Sequence, residues 1–214
     1  MASYPATFDI APPQKFDRIQ IAIRVLIIVI LSILGGVIGW LYGAVFLAIP
    51  VAAAILISQR GAQRYIAEAD QNMTKWLRFL LAFYAYMGLL TDRFPNQEPK
   101  ETLHFEVSTS GSPTAGQALL RIILVIPHAV ILALLGVVAV VLLLIAAVMI
   151  LIQETYPQGI YSFQRGLLRW EARVFAYLAS LVDEYPPFAL DAESEGKAPV
   201  QPSPGQPGAG ATQP

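Results

Sequence analysis

The chain has 214 residues, a formal net charge of −1 and no cysteine; 56% of its residues are hydrophobic and only 14% are charged. Soluble domains average roughly 45–50% apolar and about 25% charged residues, so this composition indicates a membrane protein. The 14 Lys and Arg are balanced by 15 Asp and Glu, which disfavours nucleic acid as a partner. Without cysteine, disulfides, thiolate nucleophiles and Cys-ligated metals are excluded.

A short stretch of alternating apolar and polar residues opens the chain, at residues 6–11, and a similar one occupies residues 103–108. Alternation with a period of two predicts short β-strands. Because a lone two-stranded ribbon is only marginally stable, we expect the two strands to pair at the cytoplasmic side and to pack on helices.

Two long segments carry no charge. One of 35 residues lies between Arg24 and Arg60, and one of 32 residues lies between Arg121 and Glu154. Charges at the bilayer centre cost about 2.5–3.5 kcal/mol each, so both segments are predicted to lie in the membrane. As straight helices they would be about 50 Å long, more than the roughly 30 Å hydrocarbon core. Each is therefore either one long tilted helix or a hairpin of two short spans.

The glycines favour hairpins, predicted at about 19–58 and 119–153. The second segment has Gly136 near its centre, flanked by leucines and valines. The first has four glycines beside two aromatic residues, the composition of a turn at a membrane interface: Gly35, Gly36, Gly39 and Gly43, with Trp40 and Tyr42. The alternative explanation of these glycines is close packing between helices.

Each apolar segment is followed by a stretch of mixed character, at about 75–91 and 165–182, which we predict to be an amphipathic helix at the cytoplasmic surface. Basic and Trp side chains there are candidates for contact with lipid headgroups or the interface: Arg165, Arg169, Trp170, Arg173, Lys75, Trp76 and Arg78. The plainer explanation of these basic residues is that they mark the cytoplasmic side of the membrane and extend their charged ends toward water, as snorkelling side chains do. A third membrane crossing per repeat is the alternative arrangement.

The polar flanks of the two halves repeat. Phe8-Asp9-Ile10, Arg24 and Gly39 recur 97 residues later, and the end of the first half recurs 91 residues later: Tyr86, Asp92, Phe94 and Pro95 match Tyr177, Asp183, Tyr185 and Pro186. We predict an all-α membrane protein of two tandem repeats, each with a short strand, a transmembrane helical hairpin and an interfacial helix. The predicted parts are repeat 1 at 1–95, a linker with a short strand at 96–117, repeat 2 at 102–188 and a disordered Pro/Gly-rich tail at 189–214.

Basic residues flank both apolar segments. If each repeat crosses the membrane an even number of times, all of them lie on one side, as the positive-inside rule prefers. We therefore predict a multi-pass membrane protein with both termini in the cytoplasm. The N-terminus lacks the features of a cleavable signal, so the first hairpin is expected to stay in the mature protein.

Three polar residues in or near the membrane are candidates for chemistry. His128 follows Pro127 inside the second segment, without a carboxylate or second histidine within helical reach, so a hydrogen-bonding role is favoured over metal or haem ligation. Asp92 and Asp183 end their repeats; they could face each other as an acid/base or cation site, but an Asp at such a junction more often fixes the exit turn. We predict no catalytic, cofactor-binding or metal-binding residues.

The second repeat resembles a family of bacterial integral membrane proteins known as a domain of unknown function, family 4389. The residues that carry the resemblance are Ile126-Pro127-His128, Tyr156-Pro157-x-Gly159 with Phe163 and Gly166, Leu168-Arg169-Trp170-x-x-Arg173-Val174, Tyr177 and Asp183-x-Tyr185-Pro186-Pro187-Phe188; Tyr4-Pro5 with Phe8-Asp9 resembles its N-terminal stretch. The first repeat keeps Trp76, Tyr86, Asp92 and Pro95 and lacks the other motifs. The resemblance implies a bacterial membrane protein and supplies no substrate, cofactor or catalytic residue.

The expected function is that of a non-enzymatic accessory or scaffolding subunit of a membrane complex, associated with lipids. Its expected partners are membrane lipids and other membrane-protein subunits or further copies of the chain. The alternative is a small channel or transporter component formed by oligomerisation, with His128, Asp92 and Asp183 as its polar groups. An enzyme is disfavoured because no serine of the apolar segments has a base nearby and no Gly-rich phosphate loop follows a strand.

Overall fold

The computed structural model describes residues 4–10, 13, 16–33, 37–69, 71–95 and 103–191. In these residues the chain is mostly helical, with a small two-stranded sheet. The elements in chain order are β1 (Ala6–Ile10), α1 (Arg18–Ile33), α2 (Val37–Arg60), α3 (Ala62–Ala67), α4 (Met73–Met87), β2 (Leu103–Val107), α5 (Ala115–Leu124), α6 (Ile126–Gln153) and α7 (Gln158–Leu178). Residues 96–102 of the predicted linker and residues 192–214 of the predicted tail lie outside the described residues.

The two predicted strands form an antiparallel ribbon, with Phe8 of β1 opposite Phe105 of β2. The alternation of side chains explains the pairing: Ala6, Phe8 and Ile10 are buried, while Asp9 between them is exposed. Because successive side chains of a strand point to opposite faces, one face of the ribbon is apolar and needs a cover. That cover is α7 under β1 and α4 under β2.

The second apolar segment does not turn at Gly136, so the hairpin predicted over 119–153 is wrong. Helix α6 continues through Gly136 to Gln153, and the break in the segment lies at Val125, between α5 and α6. A single glycine costs a helix about 1 kcal/mol relative to alanine, which is too little to end an otherwise apolar helix. Pro127 lies in the first turn of α6, where its missing N–H costs nothing, and this position marks the true boundary.

The first apolar segment is divided between α1 and α2. Gly39 and Gly43, which we predicted to form part of a turn, are helical residues of α2, and α2 continues past Pro50 to Arg60. The remaining predicted turn residues, Gly35 and Gly36, lie outside the described residues. Each helix of the first segment packs on one helix of the second: α2 packs on α5, and α1 packs on α6.

Two helices are long and apolar enough to cross a membrane, Gly39–Arg60 of α2 and Ile126–Gln153 of α6. Only 33% and 28% of their most apolar windows are buried in the fold. A core helix of a soluble protein would be mostly buried. The two helices therefore suggest membrane association, although two such helices alone are weak support for it.

Helix α7 is the centre of the fold, and it does not present the open headgroup-facing side that we predicted for an amphipathic helix at the cytoplasmic surface. Every residue from Gly166 to Val182 is buried, and the helix is covered by β1, α2, α4, α5 and α6. Its arginine row resembles a solvated helix face because sequence patterning alone does not show that backbone carbonyls receive the guanidinium groups.

Helix α4 keeps an exposed face. It buries Leu77, Leu81 and Ala85 against the core and exposes one row of large side chains: Lys75, Trp76, Phe79 and Phe83. Neither α4 nor α7 is among the helices long and apolar enough to span a membrane in the described part of the chain. The alternative with a third crossing in each repeat therefore gains no support from them.

Candidate functional site

A buried arginine of α1 holds the end of α4. Arg24 is 1% exposed; its Nη1 donates to the carbonyl oxygens of Tyr86 and Thr91, both at 2.9 Å, and its Nη2 pairs with Asp92. The guanidinium also lies 4.0 Å from the centroid of the Tyr86 ring. A cation at the C-terminal end of a helix is favoured by the helix dipole and satisfies carbonyls that have no partner inside the helix.

Arg121 of α5 makes the same contacts at the end of α7. Its Nη1 donates to the carbonyls of Tyr177 and Val182, both at 2.6 Å, and its Nη2 donates to Asp183 at 2.7 Å. The guanidinium lies 4.5 Å from the centroid of the Tyr177 ring. We call the sets around Arg24 and Arg121 the two arginine clamps.

The turn that each clamp holds has the same backbone geometry. Leu89 and Ser180 follow the ends of α4 and α7 with positive φ, 60° and 54°. The next N–H groups, of Leu90 and Leu181, return to carbonyls of the last helical turn, which is the Schellman arrangement. Asp92 and Asp183 are therefore bound to their own arginines rather than to each other, and the structure does not bring them together as a dyad.

Two further arginines bind the ribbon. Arg78 of α4 donates from Nη2 to the carbonyl of Phe105 at 3.0 Å, and Arg169 of α7 donates from Nε to the carbonyl of Phe8 at 3.1 Å. Phe8 and Phe105 are the residues that face each other across the ribbon. Arg169 also pairs with Asp9, as does the partly exposed Arg165. Arg78 and Arg169 are thus buried by protein and are not on an exposed headgroup-binding face.

The chain segment 189–191 is fixed over α7, and we call this contact the C-terminal lock. Arg173, which is fully buried, donates to the carbonyls of Ala189 and Asp191, while Arg169 donates to the carbonyl of Leu190. The approach is close: a Cβ on Gly166 would lie 2.7 Å from the Leu190 carbonyl oxygen. Only glycine leaves room for the segment at that position.

His128 lies at the base of an aromatic cluster. Its Nδ1 accepts a hydrogen bond from the Trp170 indole at 3.0 Å, so its proton is on Nε2. Its ring stacks on Phe188 at a centroid distance of 4.0 Å and contacts Tyr185. The imidazole is fully buried by these rings. Its neighbours are aromatic and the backbone of Pro186, which is the environment of a packing and hydrogen-bonding histidine.

Another buried polar group of α7 is a carboxyl that faces α2. Glu171 is 8% exposed, and its Oε1 accepts a hydrogen bond from the hydroxyl of Tyr42, on α2, at 2.9 Å. Tyr42 stacks on Tyr84 of α4. Burial raises the pKa of the Glu171 carboxyl to about 7, and the hydrogen bond from Tyr42 partly opposes this shift. The pair joins α7 to a candidate membrane span.

The outer face of α2 carries a shallow apolar groove of about 510 Å³, lined by Gly39, Trp40, Gly43, Ala44 and Leu47. These residues offer no acid, base or nucleophile for chemistry. In the described residues no group of three His, Cys, Asp or Glu side chains is placed to hold a metal ion.

The predicted interface residues thus divide into two sets. Lys75 and Trp76 are exposed on α4, and Arg165 is partly exposed, whereas the others are buried in the fold: Arg78, Arg169, Trp170 and Arg173. Sequence reasoning treated Arg24 and Arg121 as topology markers and did not identify Glu171 or Tyr42. The repeated spacing of Arg24, Tyr86 and Asp92 was the available signal for the clamps, while Glu171 has no counterpart that would have drawn attention to it.

Residues 116–189 match the model of a family described as a domain of unknown function, DUF4389. The matched stretch contains one arginine clamp, the aromatic cluster around His128 and all of α7. No curated protein and no solved structure matches the chain. The family match supports the resemblance that the motifs of the second half indicated.

Proposed function

We propose that the chain is a non-enzymatic integral protein of the bacterial inner membrane, an accessory or scaffolding subunit of a larger membrane assembly that also contacts lipids. The observation that carries the proposal is the placement of polar and apolar groups. The outward faces of the long helices are apolar, with Leu47 of α2 and Leu134 of α6 more than half exposed, while the buried arginines bond to the fold itself. A lipid environment suits such a surface.

The arginines of the clamps and of the ribbon contacts form hydrogen bonds within the fold. Arg24, Arg121 and Arg169 each donate to backbone carbonyls and to an aspartate of the same fold. Catalytic groups, in contrast, must present a reactive atom to a substrate. The arrangement of these arginines therefore favours a structural role over an enzymatic one.

We also propose that the chain is two divergent tandem copies of one unit. The support is the recurrence of whole contact sets: two arginine clamps, two positive-φ helix ends, and two arginines that bond to the facing residues of the ribbon. Asp17 and Thr114, which cap α1 and α5, are also 97 residues apart. Independent origin of so many matched contacts at fixed offsets is improbable.

A multi-pass topology with both termini in the cytoplasm remains our proposal. Arg18, at the start of α1, pairs with Glu154, at the end of α6, at 2.8 Å. The beginning of the first apolar segment and the end of the second therefore lie close together. Because the N-terminus precedes Arg18 and the C-terminal part of the chain follows Glu154, this closeness supports both termini on one side of the membrane.

The lipid-contacting surface that we propose is the exposed face of α4 rather than α7. Lys75 and Trp76 lie on it beside Phe79 and Phe83. Trp is enriched at membrane–water interfaces, and a lysine near an anionic surface contributes about 1 kcal/mol to binding. This face is therefore suited to the headgroup region.

The test is to isolate the full-length chain from its native membrane in mild detergent and to identify what accompanies it. We expect other membrane-protein subunits and bound lipid to co-purify in fixed proportion. The variant Trp76→Ala with Lys75→Ala serves as a matched probe, and we expect it to lower the retained lipid while leaving the protein partners. Isolation as a single protein without partners, confirmed by crosslinking in intact cells, would contradict the proposal.

A small channel or transporter component formed by oligomerisation is a second candidate. The observation that favours it is the Glu171 carboxyl, buried against a candidate membrane span with Tyr42 as its hydrogen-bond donor. Ionisable groups inside membrane proteins often mark paths for ions or protons. The apolar lining of the groove on α2 argues for the scaffolding role instead.

A further inference from the structure

Glu171 is buried without a basic side chain. Other carboxylates described above are each bound to arginine although they are more exposed than Glu171: Asp9 to Arg165 and Arg169, Asp92 to Arg24, and Asp183 to Arg121. The Glu171 carboxyl has the hydroxyl of Tyr42, and no ion pair joins it to a basic group among the described residues. A buried carboxylate without a compensating charge is costly, and such a group is stable mainly in its neutral, protonated form.

The elements packed on α7 supply phenols rather than cations near this carboxyl. Tyr42 comes from α2 and Tyr84 from α4, and both interact electrostatically with Glu171. The titratable side chain of α6 in this region is His128, whose ring is hydrogen-bonded to Trp170, the residue before Glu171 on α7. From β1, Asp9 is paired with Arg169, and from α5, Arg121 is bound to Tyr177 and Asp183.

The pair is also an exception to the recurrence between the two halves. The offset of 97 residues that relates Arg24 to Arg121 places Ala139 at the position of Tyr42, and the offset of 91 that relates Asp92 to Asp183 places Leu80 at the position of Glu171. The other half therefore has an alanine and a leucine at the positions that correspond to Tyr42 and Glu171. A buried acid that costs stability and has no counterpart in the recurrence is the kind of local exception expected at a functional site.

We propose that the Glu171 carboxyl is a proton-binding site, occupied while α2 packs on α7 through Tyr42, and that release of this proton loosens the contact between the two helices. Deprotonation leaves a negative charge between apolar helices. The hydrogen bond from Tyr42 offsets only part of the cost of that charge, so the charged form favours entry of water or a cation into the contact. Proton binding and the packing of a candidate membrane span are thereby linked.

The direction of the pH dependence follows from the pKa. Burial raises the pKa of Glu171 from 4.5 to about 7 in the folded protein, so between these values the folded state holds more protons than the unfolded state. Stability is therefore highest below about pH 4.5 for this group and is lost as the pH rises through about 7. Above that pH the contribution of Glu171 no longer changes.

The experiment is an infrared titration of the full-length protein in detergent, compared with the variant Glu171→Gln. We expect a carboxylic acid carbonyl band at mildly acidic pH that is half lost near pH 7 and is missing in Glu171→Gln. Tyr42→Phe removes the hydrogen bond that opposes the pKa shift, so the band should titrate at a higher pH in that variant. Glu184→Gln, at an exposed carboxylate, is the matched control and should leave the band unchanged.

Thermal unfolding gives the second readout. The midpoint of the wild-type protein should fall between about pH 5 and pH 8 relative to that of Glu171→Gln, whose profile lacks this component. The proposal is overturned if no titrating band depends on Glu171, or if the two proteins share one pH profile. If Glu171→Gln does not fold, the wild-type band and its displacement in Tyr42→Phe decide the question: an unshifted band, or no band, contradicts the proposal.

Discussion

Replacing Arg24 by methionine is expected to lower the free energy of unfolding by about 3–5 kcal/mol. The change removes the donor from the carbonyls of Tyr86 and Thr91 and leaves Asp92 without its cation. Methionine fills much of the volume, so the loss reports on the clamp rather than on a cavity. The measurement is thermal or denaturant unfolding in detergent, followed by circular dichroism.

The matched comparison is with Arg121→Met and Arg60→Met. Arg121 makes the same clamp with a more exposed aspartate, so its loss should be large but somewhat smaller. Arg60 pairs with Glu68 in an exposed setting, where such pairs contribute about 0–1 kcal/mol. Equal effects at all three positions would contradict the clamp as we describe it.

Disruption of the C-terminal lock is expected to have the next largest effect. Arg173→Met removes the two hydrogen bonds to the carbonyls of Ala189 and Asp191, and a hydrogen bond from a charged group contributes about 1.5–3 kcal/mol. The lock also holds Phe188 beside His128, so the mutation should increase the solvent exposure of the Trp170 indole. The midpoint of unfolding and the emission spectrum of tryptophan check the two consequences.

Two glycines of α7 provide a matched pair for the same lock. Gly166→Ala places a Cβ 2.7 Å from the Leu190 carbonyl oxygen, whereas a Cβ on Gly159 meets nothing within 4 Å. Both changes bring the helix propensity of alanine, so their difference isolates the contact. We expect Gly166→Ala to be less stable than Gly159→Ala by about 1–3 kcal/mol. Equal stability would show that the segment 189–191 does not rest on Gly166.

The sequence predicted the strands and helices better than it predicted what surrounds them in the fold. Alternation at residues 6–11 and 103–108 predicted the strands, and the structure pairs them. The charge-free segments predicted apolar helices, and the structure has them in α2 and α6. Local signals of this kind are contained in a few neighbouring residues, so they can be read without the tertiary fold.

The location of α7 could not be predicted in the same way. Arginines four residues apart are typical of a solvated or headgroup-facing helix, yet Arg169 and Arg173 are buried because carbonyls from β1 and from residues 189–191 receive them. These partners are distant in sequence and are backbone groups, so no side-chain pattern marks them. For the same reason the continuity of α6 through Gly136 was missed, since one glycine signals either a turn or a tolerated helical residue.

Glu171 illustrates the same limit at the candidate site. In the sequence it is a single acid within an arginine-rich stretch, where it is expected to pair with a neighbouring arginine. In the structure the arginines of α7 bond to β1 and the C-terminal lock, and Glu171 faces Tyr42 on α2. The environment of Glu171 depends on which side of α7 it occupies and on which helix covers that side. The covering helix, α2, lies more than 100 residues earlier in the chain.

The proposal that α2 and α6 face lipid while α7 is interior is tested most directly by spin labels at single introduced cysteines, since the natural chain contains no cysteine. The lipid-facing positions are Leu47→Cys on α2 and Leu134→Cys and Val137→Cys on α6, all more than half exposed, and Glu184→Cys is the water-facing control. In the native membrane we predict that labels on α2 and α6 collide with oxygen far more than with a water-soluble nickel chelate. Collision with the chelate at these positions as frequent as at Glu184→Cys would contradict the membrane placement.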